Sequence, residues 1–281
     1  MKLSTVLLAA GCLLSAASAQ WLEATIYLPD SLCGVTNPSC LAYDSLTGTV
    51  YVGGNYGERV IAFNAATGEK VTAIPVGKGT RALCWNRTNN RIYAANTDTS
   101  TVTVIDGATN HVVTTVFAGD GPQVLCWNPT RNKVYVGNRN SDDVTIINGA
   151  TNEVVATVPV GDRPERMTYN TVNDRVYCMT GGDDSVYAID GTSNLVTARI
   201  PVGQSPTGIC YNESGNRVYV TSYMNSQLTV INGATSEVVT TVTVGGRPYA
   251  VCYNPTNNKI YTTQQQQQQR DNPRRRDQPG D

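Results

Sequence analysis

One stretch, residues 125–166, constrains the fold more than any other, because it recurs without a gap along most of the chain. Leu41, Leu83, Leu125, Met167, Ile209 and Val251 each begin a copy, and every step between them is 42 residues. The copies are rich in Val, Ile, Thr and Tyr and show no 3.6-residue apolar period. Such a repeat builds a radial or stacked β-architecture in which each unit buries its faces against its neighbours.

Turn residues divide the copy into four strands, expected at 124–127, 133–137, 144–147 and 154–160. The third residue of every copy, in strand one, is aromatic: Tyr43, Trp85, Trp127, Tyr169, Tyr211 and Tyr253. Strand two carries Tyr51, Tyr93, Tyr135, Tyr177, Tyr219 and Tyr261 at one position. Large planar groups recurring in this way fill gaps between packed sheets, so these tyrosines are expected in the core and not stacked on a ligand. Asp106-Gly107, Asn148-Gly149, Asp190-Gly191 and Asn232-Gly233 are hairpin signals between strands three and four. Strand four ends at a glycine in five copies (Gly77, Gly119, Gly161, Gly203, Gly245), and Pro122, Pro164, Pro206 and Pro248 follow three residues later. Four short antiparallel strands per 42 residues make the blade of a β-propeller.

The fold class is therefore all-β, with full repeats at 41–82, 83–124, 125–166, 167–208 and 209–250 between partial ones at 22–40 and 251–263. Residues 23–28 read like a strand four, so joining them to strands one and two of the last copy predicts a sixth, incomplete closing blade. A truncated seven-bladed propeller is the alternative. Residues 1–19 have the anatomy of a secretory signal peptide: Met1-Lys2, an apolar run, then Ala17-Ser18-Ala19 before Gln20. Residues 20–263 form the propeller, and 264–281, a glutamine run followed by Arg, Pro and Asp, are expected to be a disordered tail. The mature protein is thus expected to be secreted, periplasmic or on the cell surface, with no transmembrane segment after signal cleavage.

Eight cysteines in an exported chain raise the question of disulfides. Cys84, Cys126, Cys210 and Cys252 share one strand position and read as small core residues. Cys33 and Cys40 lie close together in a non-repeating segment and are the disulfide candidate. The one histidine, His111, falls at an outer hairpin, which removes the base of Ser/His/Asp catalysis and makes a zinc site improbable. With a net charge of −1, no global field selects nucleic acid.

The segment Tyr135-Val136-Gly137-Asn138, within VYVGN and the VTIINGATNEVVATVPVGDRP that follows, resembles the YVTN-type β-propeller repeat of bacterial and archaeal exported or surface proteins. The resemblance covers 41–263 and implies a propeller fold and an extracytoplasmic location. It implies no single activity, since such relatives include surface-layer, periplasmic binding and lactonase-like or quinoprotein-like propellers.

What differs between copies is concentrated in two loop sets, those joining strand four to the next strand one and those between strands two and three. On a rigid scaffold such variable polar and aromatic loops suit recognition. Tyr56, Arg81, Asn138, Arg139, Arg163, Arg166, Tyr223, Arg247 and Tyr249 are the binding candidates. No catalytic residue and no cofactor is assigned, and Asp142 and Asp183 are weak candidates for a metal-assisted chemistry on oxygen ligands. The expected function is a monomeric binding or structural interaction module for a protein, a cell-wall component or a small molecule. The alternative is a lactonase-like or other metal-assisted hydrolase or lyase.

Overall fold

In the computed structural model, which describes residues 5–6, 26–27, 35 and 37–265, the repeat folds as a β-propeller. Five four-stranded antiparallel sheets follow one another along 38–75, 80–117, 122–159, 164–201 and 206–243, and a two-stranded sheet made of Pro248–Asn254 and Lys259–Gln264 comes sixth. In every blade the strands lie in chain order, with neighbours joined by short turns. Apart from the strands, regular structure among the described residues is confined to one 3₁₀ turn at Thr97–Thr99. Among the described residues no helix is long and apolar enough to cross a membrane.

Blade three shows why the sequence folds this way. Its strands are Pro122–Asn128, Lys133–Asn138, Asp143–Asn148 and Val154–Pro159. Strands one to three run a residue or two beyond the apolar cores read from the sequence, because polar end residues join the ladder: Asn138 pairs with Asp143, and Lys133 with Asn148. Proline opens strand one, where its missing N–H costs the ladder nothing. Strand three is buried on both faces, since each side of a blade meets another blade.

Strand one of each blade packs on strand one of the next, which makes it the innermost strand, while strand four is largely exposed at the rim. The core is a series of inter-blade layers. Tyr51, Val60 and Ile74 of blade one, for example, close on Ile92 and Ile105 of blade two. The strand-two tyrosines fill these layers as expected: Tyr51, Tyr93, Tyr135 and Tyr177 are fully buried. Three of their hydroxyls, all but that of Tyr135, bond to the strand-three-to-four turn of the next blade. Tyr51 donates to Asn110 Oδ1 at 2.6 Å, Tyr93 donates to Asn152 Oδ1 at 2.8 Å, and Tyr177 shares a hydrogen bond with Ser236 at 3.0 Å.

The hairpins lie where the sequence placed them, but the glycine is not what turns the chain. The left-handed residue is the fifth of the turn, Asn110, Asn152, Asn194 or Ser236, and not the glycine. Asn148 Oδ1 instead organises the turn by accepting from the backbone N–H of Ala150 and Thr151, at 2.8 and 3.3 Å. Gly149 is small because a Cβ there would collide with Asn132 and with Asn86 of the preceding blade.

The last sheet differs. Ile26–Tyr27, expected within its closing strand, pairs antiparallel with Thr5–Val6, so among the described residues the sixth sheet has only its own two strands. Gln264, placed in the tail from the sequence, is the final residue of strand two and pairs with Pro248. Strand one of this sheet packs on blade five and makes no comparable contact with blade one. Without strands three and four beside it, Tyr261 is 46% exposed, where Tyr51, Tyr93, Tyr135 and Tyr177 are buried and Tyr219, next to the incomplete sheet, is half-buried. Val242 of blade five is 45% exposed for the same reason, against 6% for Val158 at the matching place. The rest of the expected signal peptide, Cys33 and the tail beyond Gln265 lie outside the described residues.

Candidate functional site: the loop face

The two variable loop sets come together at one end of the blades, and the backbone itself joins them. In each unit an N–H of the strand-two-to-three loop donates to a carbonyl of the preceding connection. The pairs are Asn55 to Asn37, Thr97 to Gly79, Arg139 to Gly121, Gly181 to Arg163, Tyr223 to Ser205 and Gln265 to Arg247, all between 2.9 and 3.2 Å. This repeated bond presents the variable side chains in register around one face. The glycine that ends strand four serves the same closeness: a Cβ at Gly161 would overlap the carboxylate of Asp183.

Of the candidates, Tyr56 is 65% exposed, and Arg81, Arg166, Arg247 and Tyr249 are exposed as well. Arg139, Arg163 and Tyr223 are partly buried. Asn138 is not available to a ligand. It is fully buried at the end of strand two, and its Nδ2 donates to Asp143 at 2.6 Å and Thr145 at 2.9 Å. Asn96 plays the same part in blade two, donating to Thr101 and Thr103.

Asp142 and Asp183 stand in different blades, and each is committed to its own surroundings. Asp142 Oδ1 accepts from the backbone N–H of Arg163 at 2.9 Å. Asp183 accepts from Thr180 and from the Tyr187 hydroxyl, 2.7 Å away, and lies 3.3 Å from Arg199. Burial first, then the neighbouring Asp183 carboxylate, pushes the Tyr187 phenol up to about 12. Among the described residues no three His, Cys, Asp or Glu side chains converge as a metal site would require.

Among the described residues the cysteines are free thiols, and the core reading holds only in part: Cys252 is exposed, because the two-stranded sixth sheet leaves it uncovered, and Cys210 is half-buried. Cys126 and Cys178 are buried and Cys84 is half-buried, and loss of solvent pushes all three up, Cys84 to about 12. Cys40 is a free thiol that donates to the Thr80 carbonyl at 3.6 Å, and burial raises it to about 12. Its proposed partner Cys33 is not described. His111 is exposed at its hairpin, on the side of the blade away from the loop face.

This face carries an open cleft of about 440 Å³ lined by Tyr223, Met224, Ser226, Gly246, Arg247 and Gln265. It lies where blade five meets the sixth sheet. The Arg247 guanidinium sits 5.7 Å from the centre of the Tyr223 ring, a cation–π pair, and the Tyr223 hydroxyl reaches Gln265 Oε1 at 3.3 Å. Tyr223 and Arg247 were readable as candidates, one from each loop set. Met224, Ser226, Gly246 and Gln265 were not singled out. Aligning the copies would have found two of them, since Ser226 stands where Asp142 and Asp184 do, and Gly246 where Asp162 does.

No protein-family model and no curated protein sequence matches the chain. Its backbone is similar to solved propeller-like structures. Against the hydrazine synthase of Kuenenia stuttgartiensis the TM-score is 0.56 at 14% identity, over 82% of this chain and 96% of that one. Against a chain of a mitotic checkpoint complex it is 0.69 at 17% identity, over 82% and 72%. Against the computationally designed Ika8 protein it is 0.68 at 13% identity, over 80% and 67%. At such identities the likeness carries the architecture alone, and the chain is a β-propeller of repeated four-stranded blades.

Proposed function

We propose that this protein is an exported or cell-surface interaction module that recognises its partner through the loop face. The observation that carries the reading is where the copies differ. The strands, the buried tyrosines and the strand-three-to-four turns repeat because they pack blades together. The strand-two-to-three loops carry Tyr56, Arg139 and Tyr223 on a shared backbone frame, and they are free to vary. Exposed aromatic and arginine side chains are the residue types that anchor interfaces. The signal-like segment 1–19 and the resemblance to YVTN-type repeats support an extracytoplasmic setting. A metal-assisted hydrolase has no comparable support, since Asp142 and Asp183 are spent on internal bonds in separate blades.

The test is a pair of variants that fold equally well. One carries Tyr56→Ala, Arg139→Ala and Tyr249→Ala on the loop face; the other carries Arg87→Ala and Arg131→Ala at the opposite turns. Each is used to capture partners by cross-linking from an extract of the producing cell's surface. The loop-face variant is expected to lose the captured partner and the other to keep it. Equal capture by both would refute the reading.

A further inference from the structure

We propose that the cleft beside Arg247 binds a carboxylate, a deeper reading of the loop face that rests on its being a recognition surface. One position differs across the repeat in a way that points to the ligand. Residues 163, 205 and 247 each have a left-handed backbone, with φ of 61°, 52° and 53°. In the first two, a carboxylate from the neighbouring loop satisfies the backbone N–H: Asp142 Oδ1 accepts from Arg163 at 2.9 Å, and Asp184 Oδ1 from Ser205 at 2.8 Å. Ser226 holds that place before Arg247, as Ser100 does before the left-handed Gly121, and among the described residues neither N–H has an acceptor; only at residue 247 does a guanidinium stand beside the open N–H.

The side chains show the same contrast. Arg163 lies 3.7 Å from Asp162 and donates to the Gly181 carbonyl at 3.2 Å. Gly246 stands where Asp162 does, and no carboxylate among the described residues lies within ion-pair distance of Arg247. Of the arginines at this repeat position, one has both acids of its own and the other has neither. What blade five lacks is a carboxylate that would accept at once from the N–H and the guanidinium of Arg247, with the Ser226 hydroxyl beside it. Arg247 is held against Tyr223, so its charge faces the cleft at little further cost in side-chain freedom. The space, about 440 Å³, suits one acidic side chain or a small organic acid and its immediate surroundings.

The full chain is titrated by calorimetry at low and high salt with an end-capped Glu-rich peptide, its Gln-rich counterpart, and succinate. The Glu-rich peptide is expected to bind and to weaken with salt, while the Gln-rich one does not bind. Arg247→Gln is expected to lower affinity about tenfold or more, as loss of a charged hydrogen bond does. Ser226→Asp supplies from within the carboxylate that Asp142 and Asp184 supply elsewhere, and is expected to abolish binding with the melting temperature unchanged or raised. Arg87→Gln, at an opposite turn, should bind as the parent does. Competition by succinate would identify a small acid as the ligand type; binding of the peptide alone would identify an acidic protein segment. Equal binding of the two peptides, absence of any acid binding, or full affinity in both Arg247→Gln and Ser226→Asp would overturn the inference. If the acids fail while the loop-face triple variant still loses its partner, this inference falls and the recognition surface stands. If the acids bind while that variant keeps its partner, the reverse holds.

Discussion

The strand-two tyrosines show how one residue type at one repeat position acquires different energetics from its neighbours. Tyr93 is fully buried and donates to Asn152 in the next blade, so Tyr93→Phe is expected to cost roughly 1 kcal/mol in urea unfolding. Tyr135 is equally buried, but its hydroxyl has no partner, because the nearby Asn128 donates to Asp174 and Asn194 accepts from Lys133. Tyr135→Phe should therefore be neutral or slightly stabilising, and a loss as large as that of Tyr93→Phe would contradict the hydrogen-bond assignment. Buried thiols and phenols also set a pH response. Cys84, Cys210 and Tyr93 are each raised to about 12 by burial, from ordinary values of 9.0 and 10.0. Between about 9 and about 12 the unfolded chain loses protons that the folded chain keeps, so stability must fall as pH rises through that window. Chemical denaturation at pH 8 and pH 10.5 should show a lower midpoint at the higher pH. An unchanged midpoint would mean that these groups ionise without unfolding.

At the scale of the blade, the contrast between Val158 and Val242 isolates what a neighbouring sheet contributes. Both are the fifth residue of strand four. Val158 packs into blade four against Val176 and Ile189, whereas Val242 faces a sheet that has no third strand to cover it. Val158→Ala is expected to cost roughly 2 kcal/mol and Val242→Ala a few tenths. The strand Lys259–Gln264 has one free edge where Arg91–Asn96 is paired on both sides, so hydrogen exchange should be faster in the former. The four strands, their order and the inter-blade tyrosines were legible from the 42-residue period, because packing repeats and a repeat announces itself. The closing strand was not. Residues 23–28 have the composition of a strand four, but composition says which residues can pair and not which edge they meet; in the structure Ile26–Tyr27 meets Thr5–Val6. The Asn-Gly signal located the hairpins correctly, although the glycine answers crowding by Asn132 and Asn86 and not a left-handed turn.

For the whole molecule, the division of labour runs across the blades rather than along the chain. One end carries the interlocked polar turns, where Asn86, Asn128, Asn170 and Asn212 each donate across to the next blade, at 2.7 to 3.2 Å. These bonds repeat because every blade needs them. The other end carries the loops that the repeat leaves free. Exposed and charged members of that end, such as Arg247 and Tyr56, were readable from the sequence as departures from the period. Asn138 departs less than it seemed, since its side chain is buried in the frame of the loop. The cleft could not be read directly, because it depends on two acids being absent from positions where other copies have them.

The central claim, that recognition belongs to the loop face, is tested most directly by hydrogen exchange on the full chain with and without its captured partner. Protection is expected over 55–59, 97–100, 139–142, 181–184 and 223–226 and in the connections that precede them, with the turns at 129–132 and 149–152 unchanged. Protection of those turns or of the outer strands, with the loops unaffected, would contradict it.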